Sequence, residues 1–123
     1  MINIVTYRTA ELNFEAIKND SINLPVQFLD EDTNLPVDLS TYTSAKLQIK
    51  ESELNSNLLF EFTSTGATNQ LLINQLNIGI ITLKCPSLNL NGQVYVYDLQ
   101  LKNNTDVETI AKGQFTIIGD ITV

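Results

Sequence analysis

The chain has 123 residues, 43% of them hydrophobic, and a formal charge of −7 from 7 Lys plus Arg against 14 Asp plus Glu, which is one domain's length with an acidic surface. The seven cations are scattered singly, so the clustered positive charge that neutralises the phosphates of nucleic acid or an anionic membrane is absent. No run approaches the roughly 18 apolar residues of a membrane span, and the single cysteine, Cys85, allows no intrachain disulfide.

Residues 1–10 alternate Ile2, Ile4 and Thr6 with Asn3, Val5 and Tyr7, the pattern of a short strand or an extended arm. The first residues also lack the basic region and continuous apolar stretch of a signal peptide. Residues 11–18 place Leu12, Phe14 and Ala16 on one face of a strand, with helix as the alternative. After a turn at Asn19-Asp20, Ile22, Leu24, Val26 and Phe28 alternate with polar residues, and Pro25 marks an edge or a bulge because it cannot donate to a ladder. Residues 30–36 form an acidic loop. Ala45, Leu47 and Ile49 define the next strand, residues 51–57 a surface loop, and Leu58, Phe60 and Phe62 a further strand. A turn-rich stretch and a short apolar run at residues 71–74 lead to Ile81 and Leu83, in a strand that also holds Cys85 as a buried, inert thiol.

The clearest pattern closes the chain. In residues 92–117 the parity Tyr95, Tyr97, Leu99, Leu101 faces inward, and Val96, Asp98, Gln100, Lys102 outward. Residues 103–106, Asn-Asn-Thr-Asp, supply a turn. The return strand carries Ala111, Gly113, Phe115 and Ile117 on its inward side, with Gly113 admitting a tyrosine ring or marking a bulge. About eight short strands bounded by Asn, Asp, Gly or Pro predict an all-β chain, a β-sandwich or a barrel. Residues 1–10 are then a separate N-terminal strand or arm, and residues 11–123 a single domain.

Little in this chain suits catalysis. There is no histidine to activate a serine or the cysteine, no zinc ligand set, and no Gly-rich phosphate loop. The expectation is a non-enzymatic protein with no cofactor. Asp30, Asp32 and Asn34 match the first three ligand positions of a calcium loop, but Leu35 and Thr41 stand where such a loop needs Gly and Glu, and a solvated turn accounts for the same residues. Tyr42, Tyr95 and Tyr97 are candidates for a sugar platform, with core packing as the competing reading of Tyr95 and Tyr97.

Three stretches together carry a resemblance: residues 30–50, DEDTNLPVDLSTYTSAKLQIK; LNIGIITLKCP; and the hairpin of residues 92–117. Pro36, Val37, Asp38, Leu39 and Tyr42 match the turn-and-strand motif, and Tyr95, Tyr97, Asp98, Leu99, Gly113 and Phe115 the closing hairpin, of small immunoglobulin-like domains of tailed-phage and prophage structural proteins. Those include the N-terminal domain of baseplate upper proteins and related head-fibre, tail and adaptor modules. Asn34 replaces a usual Gly in the turn and Thr41 a frequent Gly before the Tyr; Asn tolerates positive φ, so the turn remains feasible. The resemblance spans roughly residues 11–119. It implies an immunoglobulin-like antiparallel β-sandwich and a virion component, made in the bacterial host cytoplasm, that attaches one part of the particle to another. Its partners would be other virion proteins and further copies of itself in a ring or trimer, with no nucleic acid or membrane involved. Ile2, Ile4, Tyr7 and Tyr42 are the candidate interaction residues, the first three on an arm that would add to a neighbour's sheet. The alternative is a carbohydrate- or cell-surface-binding module, using Tyr42 and the loops at residues 51–57 and 64–70.

Overall fold

A computed structural model describes residues 3–7, 10–55 and 57–119. It contains ten strands and one turn of 3-10 helix: β1 (Asn3–Tyr7), β2 (Ala10–Glu11), β3 (Phe14–Ile17), β4 (Ile22–Asp30), β5 (Ser44–Lys50), β6 (Leu58–Thr63), β7 (Gln70–Gln75), the helical turn (Leu76–Ile78), β8 (Ile80–Cys85), β9 (Gln93–Lys102) and β10 (Val107–Ile118). Counting β2 and β3, which both pair with β10, as one broken strand gives nine, against about eight expected. The piece read as strand or helix, residues 11–18, is strand at Glu11 and over Phe14–Ile17, broken at Leu12 and Asn13.

Hydrogen bonding orders the strands β1-β4-β8-β7-β6-β5-β9-β10-β2, with β3 also on β10. The order divides where β6 and β7 meet, at the single register pair Thr63–Gln70. On one side lie β4, β8 and β7; on the other lie β6, β5, β9 and β10. These are the B-E-D and C′-C-F-G arrangements of an immunoglobulin-like sandwich. The main ladders are antiparallel, as expected. Among the described residues, parallel pairings occur only between β6 and β7 and where β1 joins β4 and β2 and β3 join β10. Pro25 faces Thr82 of β8, and the β1 ladder begins one residue later at Val26, so Pro25 sits on an open edge where its missing N–H costs nothing.

Inward parities from both layers meet in one core: Val26, Phe28, Ile81 and Leu83 against Leu47, Ile49, Phe62, Leu99 and Leu101. Loop residues Leu39 and Leu88 complete it. Cys85 is buried, and desolvation pushes its thiol pKa up, which keeps it protonated and inert.

The closing hairpin adopts its predicted form. Asn103 Oδ1 accepts from the backbone N–H of Thr105 at 2.9 Å and of Asp106 at 2.7 Å, fixing the turn. Tyr95, near the start of β9, donates its hydroxyl to the Asn91 carbonyl at 2.8 Å, a tyrosine corner. Tyr97 donates to the Leu12 carbonyl between β2 and β3, while its ring packs 5.1 Å from that of Phe14. Tyr97 thus joins the β2–β3 segment to the sandwich.

Burial raises the Tyr97 phenol pKa far above its ordinary value. The unfolded phenol ionises near pH 10 and the buried one does not, so this contribution is complete below about pH 10 and declines as pH rises beyond it. Tyr97→Phe is expected to cost about 1 kcal/mol at pH 7, for the Leu12 carbonyl left unpaired, and to flatten the loss of stability above pH 10. Denaturant titrations between pH 8 and pH 11 check this; an unchanged alkaline slope would exclude Tyr97 as the responsible group.

Candidate functional site

The sheet edge at β4 is where residues of functional interest gather. β4 is nine residues long and alternates, and its inner edge is taken by β8 through Ile22–Cys85 to Gln27–Ile80. Its outer edge receives β1 in parallel, with Asn3 opposite Val26, Ile4 opposite Gln27, Val5 opposite Phe28, Thr6 opposite Leu29 and Tyr7 opposite Asp30. Of the arm candidates, Ile4 and Tyr7 therefore lie on a strand that pairs with this chain's own β4, and Ile2 falls outside the described residues. The first half of the outer edge, residues 22–25, has no strand against it among the described residues. Beside it opens an apolar groove of about 390 Å³ between the layers, walled by Phe14, Ile17, Ile22, Leu24, Phe115 and Ile118.

At the other end of β4 the acidic loop closes on itself. Asp30 Oδ1 accepts from the backbone N–H of Asp32 at 2.8 Å and of Thr33 at 3.1 Å, and Asn34 takes a left-handed φ of 57°. This is an Asx turn, and it commits one Asp30 oxygen to backbone donors. Among the described residues no group of three or more His, Cys, Asp or Glu is placed to hold a metal ion. Next along the chain, Asp38 accepts from the Ser40 N–H at 2.9 Å, and its hydrogen bonds to Ser40 hold its carboxyl below the usual range.

Tyr42 is half-buried against the core, and its hydroxyl donates to Glu108 on β10. Its ring and hydroxyl tie the loop before β5 to the closing hairpin. Tyr95 and Tyr97 are 3% and 4% exposed, so they lie in the core and present no platform. The structure does not bring the three tyrosines together on one surface.

Two features escaped the sequence reading. Gly79, after the helical turn, has φ of 70°, and a Cβ there would stand 2.7 Å from the Phe28 carbonyl and 2.8 Å from that of Val37. It locks the end of β4, since Phe28 N–H donates to the Gly79 carbonyl at 2.8 Å. A glycine just before an apolar run is a signal for such a left-handed turn. The second is a polar hollow of about 700 Å³ on the outer face of β9, lined by Glu11, Lys50, Glu53, Asp98 and Lys112 among others. Asp98 lies 3.9 Å from Lys50 Nζ and opposite Lys112 in register, with its Oδ1 buried and lacking a hydrogen bond. Mixed charge gives this hollow no preference for ligands of one sign.

No family model matches the chain, and no curated protein does. Among solved structures it is similar to CopC from Methylosinus trichosporium OB3b, at 13% identity and a TM-score of 0.47, over 89% of this chain and 88% of that one. It is also similar to part of a 2,6-sialyltransferase from Photobacterium sp. JT-ISH-224, at 17% identity and a TM-score of 0.35, over 94% of this chain but 18% of the enzyme. Likenesses at this level bear on neither activity nor ligand.

Proposed function

We propose that the chain is a non-enzymatic structural or adaptor component of a tailed-phage virion, working through protein–protein assembly. The observation that carries this reading is the outer edge of β4. The chain's own β1 lies along that edge from Val26 to Asp30 in parallel register, and a partner's extended segment would add there by the same backbone pairing, with no side-chain pocket needed.

The residues that carry the resemblance to phage structural domains support it as framework. Leu39 is in the core, Tyr42 is held by Glu108, Tyr95 forms its corner, and Tyr97 bonds to Leu12. They fix the sandwich and leave recognition to the edges. The burial of Tyr95 and Tyr97 and the engagement of Tyr42 weigh against a sugar platform built on these rings. A charge of −7 keeps free subunits apart until a complementary surface is presented.

The test is the composition of phage particles produced from the genome that encodes the chain. The chain is expected in purified particles at a fixed copy number, and a version lacking residues 1–10 is expected to fold yet be lost from them. Particles of full composition without the chain would contradict the proposal.

A further inference from the structure

β3 and the first half of β4 follow one another in the chain, yet among the described residues no ladder joins them. β3 belongs to the β10 layer and β4 to the β8 layer. The turn between them is pinned. Asn19, at a left-handed φ of 69°, donates its N–H to the Leu88 carbonyl at 2.8 Å, and the Leu88 N–H donates to the Asp20 carbonyl at 3.1 Å. The two strands splay apart around the apolar groove described above. Consecutive residues of both parities line it, 14–17 from β3 and 22–24 from β4, so strand edges form part of its walls.

Those edges carry backbone groups with no strand against them. Leu12 N–H donates to the Lys112 carbonyl and Lys18 N–H to that of Ile118, so even-numbered residues here face β10, and Glu15 and Ile17 face away from it. On β4, Phe28 N–H donates to the Gly79 carbonyl on the β8 side, which directs the N–H and C=O of Asn23 outward. Glu15 and Asp20 stand among the lining residues, and no Lys or Arg does. Lys18, between them in the chain, is turned to Asn91 Oδ1 at 3.3 Å.

We propose that this groove receives an extended, basic segment of a partner protein. Alternate apolar side chains of the segment enter between Ile17, Leu24 and Phe115, and its Lys or Arg meets Glu15 and Asp20. The inference rests on the assembly reading above and gives the chemistry of the strand that adds at the vacant half of the β4 edge. A second copy of this chain is the poorer occupant, since its charge of −7 brings like charge to the groove.

The test selects random peptides of about ten residues, the length of a long strand, from a display library against the intact chain. The winners are then titrated against the Ile17→Lys chain. Ile17 is 46% exposed, so its replacement spares the core, which thermal melting checks. The winners are expected to alternate apolar residues and to carry Lys or Arg. They are expected to bind the variant at least about tenfold more weakly, because the new ammonium stands unpaired against apolar walls and repels the basic peptide. Glu15→Lys is expected to weaken binding severalfold and to reduce its dependence on salt. No enriched sequence, winners without basic residues, or equal binding to the Ile17→Lys chain would each overturn the proposal. Self-association of the free chain that Ile17→Lys abolishes would overturn it in favour of a second copy. The two readings fail separately. Groove-binding peptides with no chain in particles would defeat the virion reading alone, and an Ile17→Lys chain incorporated at full copy number would defeat the groove alone.

Discussion

Replacing Gly113 by valine is expected to destabilise the protein by about 3 kcal/mol, a fall in Tm of roughly 10 °C. Gly113 pairs with Tyr97 across the closing hairpin, and the backbone linking β2 to β3 passes directly over it. A Cβ there would stand 2.4 Å from the Leu12 carbonyl oxygen and 2.8 Å from Asn13 Oδ1. Both atoms are already committed: Leu12 accepts from Tyr97, and Asn13 accepts from the Gln114 N–H at 2.9 Å. The obstacle is mostly backbone, so the side chain cannot swing away, and φ of 157° adds to the strain. Either the N-terminal strand lifts from β10 and both hydrogen bonds are lost, or β10 shifts against β9. Alanine is expected to destabilise as well, by less. Thermal unfolding followed by circular dichroism checks this, and an unchanged Tm for the valine variant would place Gly113 on the wrong face.

Phe115→Ala is expected to cost about 3–5 kcal/mol. The ring is 1% exposed and packs against Phe14 at 5.4 Å and Tyr97 edge-on at 6.2 Å. Phe14 and Phe115 are also register partners, so this cluster fastens β3 to β10. Truncation leaves a cavity where the first strand, the hairpin and the apolar groove meet. Denaturant titration measures the loss, and hydrogen exchange is expected to show β3 opening before β5 or β9. A loss below about 1 kcal/mol, the scale of a partly exposed contact, would mean that the cluster does not hold the strand.

The hairpin was legible in the sequence because strict alternation reports burial wherever one face is covered. Tyr95, Tyr97, Leu99 and Leu101 are all buried, and Asp98 is on the other face. Alternation fails where a ladder slips. The register shifts between Thr109 and Ala111, so Ile110 and Ala111 are both in the core, a placement that period two cannot produce. At the start of β6 the same effect left Leu58 half exposed although it shares parity with buried Phe62, because the β5–β6 ladder shifts between Ile49 and Lys50. Gly113 was readable as a special position, but what fills its space is a peptide about a hundred residues away in the chain. The space above it is taken by Leu12 and not by a tyrosine ring, and the bulge lies nearer the turn.

The candidate site was legible in part. Alternation in residues 1–10 marked a strand outside the core pattern, and Pro25 marked an edge on the strand that receives it. Neither pattern gives direction or partner, and β1 pairs in parallel with β4 of its own chain. The fate of Tyr42 depended on Glu108, 66 residues away. Asp30 and its neighbours read as a solvated turn, with a calcium loop as the lesser alternative, and the hydrogen bonds from Asp32 and Thr33 give them the turn's geometry.

The most direct test of the assembly account is the copy number of this chain in phage particles purified from cells carrying its gene, measured by quantitative mass spectrometry. The account predicts a fixed, reproducible ratio to the other virion proteins, lost when residues 1–10 are deleted from a chain that still melts cooperatively. Complete particles that never contain the chain would contradict it.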